Sequence, residues 1–222
     1  MTEPITVILQ TYRRTECALR TIRAAREHLR YPNLRWYIAD DGSPREHFDA
    51  VLAEFPANEL VGWHTERRGY GANANAAWDA AGEHGRLTFW LEDDWELSET
   101  VDLYTYAALL MEREDIGMVR LGYLNCGISG FSLGHAGLMY WGLYHVPHHD
   151  GELAFTGHPA LRHQRYRDTY GGYPSGLTPG NTELAYAYQY RNQEGPWIVW
   201  PVAWPQDGLF RHIGTVKTET ML

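Results

Sequence analysis

The chain has 222 residues, 44% of them hydrophobic and 21% charged, with a net charge of −9. It is long enough to bury the core of one domain, and its acidic balance excludes nonspecific attraction to nucleic acid or anionic membrane as the default mode of contact. No run approaches the ~20 apolar residues of a membrane helix, the first apolar run (5–9) is too short for a signal-peptide core, and Cys17 and Cys126 have no metal or redox spacing, so a cytoplasmic, reduced setting without membrane insertion is expected.

Residues 5–9, ITVIL, are a β-branched run that predicts a first strand, ending in polar Gln10, Thr11, Tyr12, Arg13 and Arg14. Thr15 stands where it can N-cap a helix in which Ala18, Ile22, Ala25 and Leu29 fall at helical spacing, with Arg20, Arg23, Arg26 and Arg30 on a solvated face. Residues 36–39 predict a second strand ending in Asp40, Asp41, Gly42 and Ser43. Ser43-Pro44-Arg45-Glu46 then reads as a capping box before an apolar face of Phe48, Val51, Leu52 and Phe55. A short strand over 60–64 precedes Arg67-Arg68-Gly69-Tyr70-Gly71 and an alanine-rich helix over 72–81. Residues 87–91 predict a buried strand that runs into Glu92, Asp93 and Asp94, and residues 100–112 predict a helix capped by Ser98 or Thr100. Further on, 118–121, 138–146 and 197–202 read as strands, 184–191 as a helix, 147–181 as loops over a site, and 208–214 as the end of the ordered core.

Strand and helix alternate through the first half, and each strand ends in polar residues. That pattern predicts a parallel sheet binding its ligand beyond the carboxyl ends of its strands. Three adjacent carboxylates at a strand end resist desolvation and raise one another's pKa unless a positive group joins them. A hard divalent cation is the usual remedy; the plainer alternative is a solvated acidic turn, against which Trp90 and Trp95 on either side argue for a partly dry site. Arginine supplies all the cationic side chains except Lys217, which suits bidentate phosphate recognition.

Taken in register, these segments resemble the GT-A-fold glycosyltransferases, and family 2 of the nucleotide-sugar-dependent enzymes most of all. ITVILQTYRR resembles the family's opening strand, with Gln10 where proline is usual and Arg13 where asparagine is usual. IADDGS, RRGYGANANAAWDAAG and WLEDD resemble its DDGS segment, its glycine-and-asparagine helix start and its DxD motif. FTGHPALRHQRY and GNTELAYAYQYRN resemble acceptor-side segments, and FRHIG a late histidine motif.

The resemblance implies an α/β, GT-A-like (Rossmann-like) fold: a mostly parallel sheet flanked by helices in a single domain over 1–222. Residues 1–97 would be the nucleotide- and metal-binding half and 117–214 the acceptor half. It implies Asp94, Glu92 and His212 as ligands of Mn2+ or Mg2+, with the histidine favouring Mn2+, and Asp93 as a contact to the ribose or the metal's waters. Thr11, Tyr12, Arg13, Asp41, Arg68, Gly69 and Asn75 would serve the donor nucleotide, Gly69 by letting the backbone approach closely. The plainer alternatives are surface charge for Arg68, a turn role for Asp41, a cap for Asn75 and a structural role for His212.

The family's acidic pair falls on Gly180 and Asn181, so the catalytic position holds Asn181 with Glu183 two residues on. Glu183 is then the base or merely a pin for the following helix; otherwise Asp150 or Asp168 moves in, or the enzyme retains configuration. Trp141 and Tyr173 are expected to be sugar or acceptor platforms. The implied activity is metal-dependent transfer from a nucleoside-diphosphate sugar, with a UDP-sugar favoured over GDP or dTDP, to a hydroxyl acceptor, with inversion favoured. A nucleic-acid acceptor stays among the possibilities. Two other readings compete. One is a non-catalytic sugar-nucleotide binder of the same fold, motivated by Asn181. The other is a dinucleotide-binding oxidoreductase, because Gly69 to Ala74 fits GxGxxA and Glu92 lies 21 residues after Gly71.

Overall fold

The computed structural model describes residues 2–122, 137–140, 143–146, 157–201 and 209–214. In chain order the elements are β1 (Ile5–Thr11), α1 (Thr15–His28), β2 (Leu29–Arg30), β3 (Leu34–Asp40), α2 (Arg45–Leu52), β4 (Leu60–His64), α3 (Tyr70–Gly82), β5 (Leu87–Glu92), β6 (Trp95–Leu97) and β7 (Val101–Asp102). They continue with α4 (Tyr104–Glu112), β8 (Ile116–Arg120), β9 (Gly137–Tyr140), β10 (Leu143–Val146), β11 (Ala160–His163), α5 (Gln164–Tyr170), α6 (Pro179–Arg191), β12 (Trp197–Pro201) and β13 (Phe210–His212).

The β-branched first run is buried at every position because it is central: β1 pairs in parallel with β3 on one side and β5 on the other. Nine strands among the described residues form one sheet in the order β4-β3-β1-β5-β11-β8-β12-β10-β9. Only β10 and β11 run against the other seven, so the sheet is mostly parallel, as expected.

Successive strand residues face opposite sides of the sheet, and the two cores follow that alternation. Val7, Leu9, Ile38, Phe89 and Leu91 pack with α1, α2 and α4. Ile8, Tyr37 and Trp90 pack on the other face with Ala74, Ala77, Trp78 and Ala81 of α3 and with tyrosines of α5 and α6. Among the described residues no helix is long and apolar enough to cross a membrane.

Several local expectations are corrected, the first two because a side chain found a distant partner. Thr15 does not cap α1; its hydroxyl meets His47 Nδ1 at 2.9 Å. Ser43 does not cap α2; its Oγ accepts from the Arg13 backbone N–H at 2.8 Å. The helix expected over 100–112 starts at Tyr104, whose N–H is taken by Asp102, while Ser98 donates to the Leu209 carbonyl. Residues 101–102 instead form β7, parallel to β2. The strand expected over 138–146 is a hairpin, β9 and β10. The expected loop over 147–181 contains β11, deep in the sheet, and α5.

Candidate active site

The register of the parallel strands brings the polar tips together. Thr11 lies opposite Asp40, and Gln10 opposite Glu92, so the ends of β1, β3 and β5 share one edge. The Asp93 N–H donates to the Gln10 carbonyl at 3.0 Å, which turns the acidic run inward over β1. Asp93 is fully buried: its Oδ2 accepts from Thr11 Oγ1 at 2.8 Å and from the Tyr12 N–H at 3.1 Å, and its Oδ1 accepts from Arg14. Asp94 Oδ2 accepts from the other guanidinium nitrogen of Arg14 at 2.5 Å and lies 3.1 Å from His212 Nε2. Asp94 Oδ1 is buried without a hydrogen-bond partner.

β13 delivers that histidine. It pairs antiparallel with β6, setting His212 opposite Trp95, and the Ile213 N–H donates to the Asp94 carbonyl at 2.8 Å. Gly214 lies so close that a Cβ there would come within 2.2 Å of Asp94 Oδ2.

Charge density at this corner is high. Burial, and then the neighbouring Asp94 and Glu183 charges, push Glu92 well above the usual carboxylate range, although Tyr70 Oη donates to it at 2.6 Å. Burial likewise pushes Asp93 up to about 6 against the opposing pull of Arg14. Arg14 stays charged because Asp93 and Asp94 more than offset its own desolvation. Glu183, on α6, faces the same corner: its Oε1 accepts from the Gly157 N–H, and burial raises its pKa with Asp94 adding to the rise and Arg120 opposing it. Arg120 also donates to His158 Nδ1 at 2.5 Å, and the Trp95 ring meets both His158 and His212 edge-on.

On the other side lies the end of β3. Asp41 Oδ1 accepts from the Arg68 and Gly69 N–H groups at 2.7 and 2.9 Å, so it staples the loop before α3. Gly69 has φ +81 with open space around it, so it is required for its backbone conformation and not for a close approach. The Tyr12 ring carries the guanidinium groups of Arg13 and Arg67 at 4.8 and 4.2 Å from its centroid. The exposed Arg68 side chain pairs with Glu66. Buried His47 links the two sides, bonding Thr11 Oγ1 and Thr15 Oγ1 at 2.9 Å each.

A protein-family model described as "Glycosyl transferase family 2" matches residues 6–155. The chain belongs to that family. The comparison with curated proteins gave no match. Among solved structures, this family 2 chain is similar to the mannosyltransferase PcManGT from Pyrobaculum calidifontis in complex with GDP-Man and Mn2+, with a TM-score of 0.58 and 18% identity over 94% of this chain and 59% of that one. It is similar to GalNAc-T7 with UDP, GalNAc and Mn2+ (TM-score 0.67, 16% identity, 95% of this chain and 44% of that one). It is also similar to S. aureus TarS 1-349 in complex with UDP (TM-score 0.61, 14% identity, 92% and 62%). At these identities the shared property is the fold, and this chain spans between 44% and 62% of the length of those chains. Family membership also removes the oxidoreductase alternative. Gly71, the second glycine of the GxGxxA match, is needed because a Cβ there would meet the Pro174 carbonyl oxygen at 2.0 Å.

The structure brings Thr11, Tyr12, Glu92, Asp93, Asp94, Glu183 and His212 to the one edge. Three expected residues are placed differently. Asn75 lies inside α3, where its side chain both donates to the Tyr173 carbonyl and accepts from the Tyr173 N–H at 2.8 Å, so it is a structural clamp. Tyr173 is 2% exposed, stacked on Tyr186, and takes a hydrogen bond from Arg162, so its ring is core and not an open platform. Asn181 is exposed on α6, two residues and about 200° around the helix from Glu183, so the two side chains leave opposite faces. Trp141 and Asp150 lie outside the described residues. Sequence reasoning missed Arg14, His47 and Tyr70. Arg14 carried the only available signal, a cation just past the first strand.

Proposed function

We propose that this chain is a metal-dependent glycosyltransferase that moves a sugar from a nucleoside-diphosphate donor to a hydroxyl acceptor with inversion, Glu183 being the general base. The observation that carries the proposal is the convergence of Glu92, Asp94, His212 and Glu183 beyond the end of β5. Among the described residues no three acidic, histidine or cysteine side chains sit as a ready-made metal shell. The donor set nevertheless suits a divalent ion: Asp94 Oδ1 is buried and unpartnered, and a histidine nitrogen stands beside the carboxylate. Asp94 and His212 would hold the ion, with Glu92 joining on release from Tyr70. When bound, such an ion supplies Lewis-acid neutralisation of a departing diphosphate.

The chain's own residues would do the rest. Thr11 and Asp93 brace the acidic turn from beneath, and the Tyr12 ring, with Arg13 and Arg67 against it, offers a face and two cations to the nucleotide. Burial gives Glu183 a raised proton affinity, as a base for an acceptor hydroxyl needs. Similar proteins carry both UDP and GDP-Man with Mn2+, which supports a nucleotide-sugar donor and leaves UDP-sugars as the first to test. The test is a screen of UDP-, GDP- and dTDP-sugars with Mn2+, reading nucleotide release with and without acceptors. Asp94→Ala should abolish release; retained release in that variant would remove the metal from Asp94. A form that binds nucleotide yet never releases it from a donor would be the non-catalytic binder.

A further inference from the structure

The feature the proposed chemistry leaves unused is Arg14. Its guanidinium bridges Asp93 and Asp94 and so already supplies the positive charge that this acidic run requires. We propose that Arg14 is an exchangeable internal counter-ion, neutralising the acidic pair in the metal-free protein and releasing Asp94 when a divalent cation binds. The inference rests on the metal-dependent reading above and adds a residue that sets metal affinity.

Three observations carry it. Asp94 Oδ2 is hemmed in by Arg14 Nη1 at 2.5 Å, His212 Nε2 at 3.1 Å and the Cα of Gly214, where an added Cβ would lie 2.2 Å from that oxygen and 2.8 Å from Arg14 Nη1. A cation held jointly by Asp94 and His212, as proposed above, would sit on the Oδ2 side that the guanidinium already occupies, so the two compete for the same place. The two carboxylates are also unequal. Asp93 keeps Thr11 Oγ1 and the Tyr12 N–H when Arg14 leaves, so its burial stays compensated, whereas Asp94 has an oxygen with no partner even now. Asp94 is thus the carboxylate built to change partners. Finally, the way out lies on the arginine side: the Arg14 side chain is 24% exposed while those of Asp93 and Asp94 are 0% and 7% exposed. A guanidinium left within a few ångströms of a divalent ion would repel it, and with few water molecules between them the repulsion is poorly screened.

The experiment is Mn2+ binding followed by the electron paramagnetic resonance signal of free Mn2+, for the wild-type chain and Arg14→Gln, alone and with UDP. Arg14→Gln is expected to bind Mn2+ in the absence of nucleotide at least about tenfold more tightly than wild type, because the competing charge is gone. Equal or weaker binding by folded Arg14→Gln overturns the inference. If Arg14→Gln does not fold, Arg14→Met decides. It keeps much of the side-chain bulk without the charge, so Mn2+ binding should still tighten, and no tightening overturns the inference. Wild type that holds Mn2+ with UDP while the Arg14 variants show no gain sinks the role of Arg14 alone. Absence of Mn2+ binding by every form, with and without UDP, sinks the metal reading and this inference with it.

Discussion

Glu183 and His163 show how burial sets the chemistry of single residues. Glu183 sits among Glu92, Asp94 and the Gly157 N–H, and burial raises its affinity for a proton. If it is the base, Glu183→Gln keeps the acceptor for Gly157 but cannot take a proton. Turnover should then fall at least about 100-fold with UDP binding within a few-fold of wild type, read by nucleotide release and by titration. His163 works through stability. Burial first, and then the Arg165 and Arg86 charges, hold its imidazole down to about 4, against the opposing pull of Glu3 and Asp168. The unfolded chain therefore binds a proton that the folded one refuses between about 4 and the ordinary histidine range near 6.5. Stability is complete above that window and is lost as pH falls through it. His163 also caps α5 by accepting from the Arg165 N–H at 3.0 Å, a role that asparagine can keep. His163→Asn should lose less melting temperature than wild type between pH 7 and pH 4.5. The remaining slope would come from groups such as His158, which burial and Arg120 hold still lower.

At the scale of elements, the site depends on segments far apart in sequence that are pinned by a few polar contacts. α3 holds the loop before α6 through the two Asn75 hydrogen bonds to the Tyr173 backbone, and that loop leads to Glu183. Asn75→Ala removes both of these hydrogen bonds and should cost about 2 kcal/mol of stability, measured by urea denaturation. β11 explains why one strand was not legible. Ala-Leu-Arg-His has too few apolar positions to read as a strand. Its Arg162 is nevertheless fully buried, with its guanidinium 5.1 and 4.6 Å from the ring centroids of Trp78 and Trp90, and Tyr173 Oη accepts from it. The aromatic shell that makes a buried arginine tolerable comes from α3 and β5, and local pattern carries no trace of it.

At the scale of the molecule, two hydrophobic layers hold a sheet whose one edge gathers charge instead of burying it evenly. A ligand bridging β1, β5 and β13 should tie these elements together. If Mn2+ and UDP bind there, saturation at about 100 times the dissociation constant adds about 2.7 kcal/mol. That should raise the melting temperature by roughly 5–10 °C for a chain of this size. Asp94→Ala should show no such rise in a thermal-shift assay.

The alternation of strand and helix, the parallel first half and the acidic tip of β5 were all determined by the sequence itself, because backbone periodicity and the burial of apolar residues act over a few neighbouring positions. Even there, the expected caps at Thr15 and Ser43 gave way to His47 and Arg13. Tertiary structure alone decided that Glu183 faces Glu92 and Asp94 while Asn181 faces solvent, that Asn75 is a clamp, and that His212 reaches Asp94. It also decided that the positive charge on the acidic pair is an arginine of the same chain. Which cation answers a buried carboxylate depends on what long-range packing brings within about 3 Å of it, and nearest-neighbour patterns do not encode that distance.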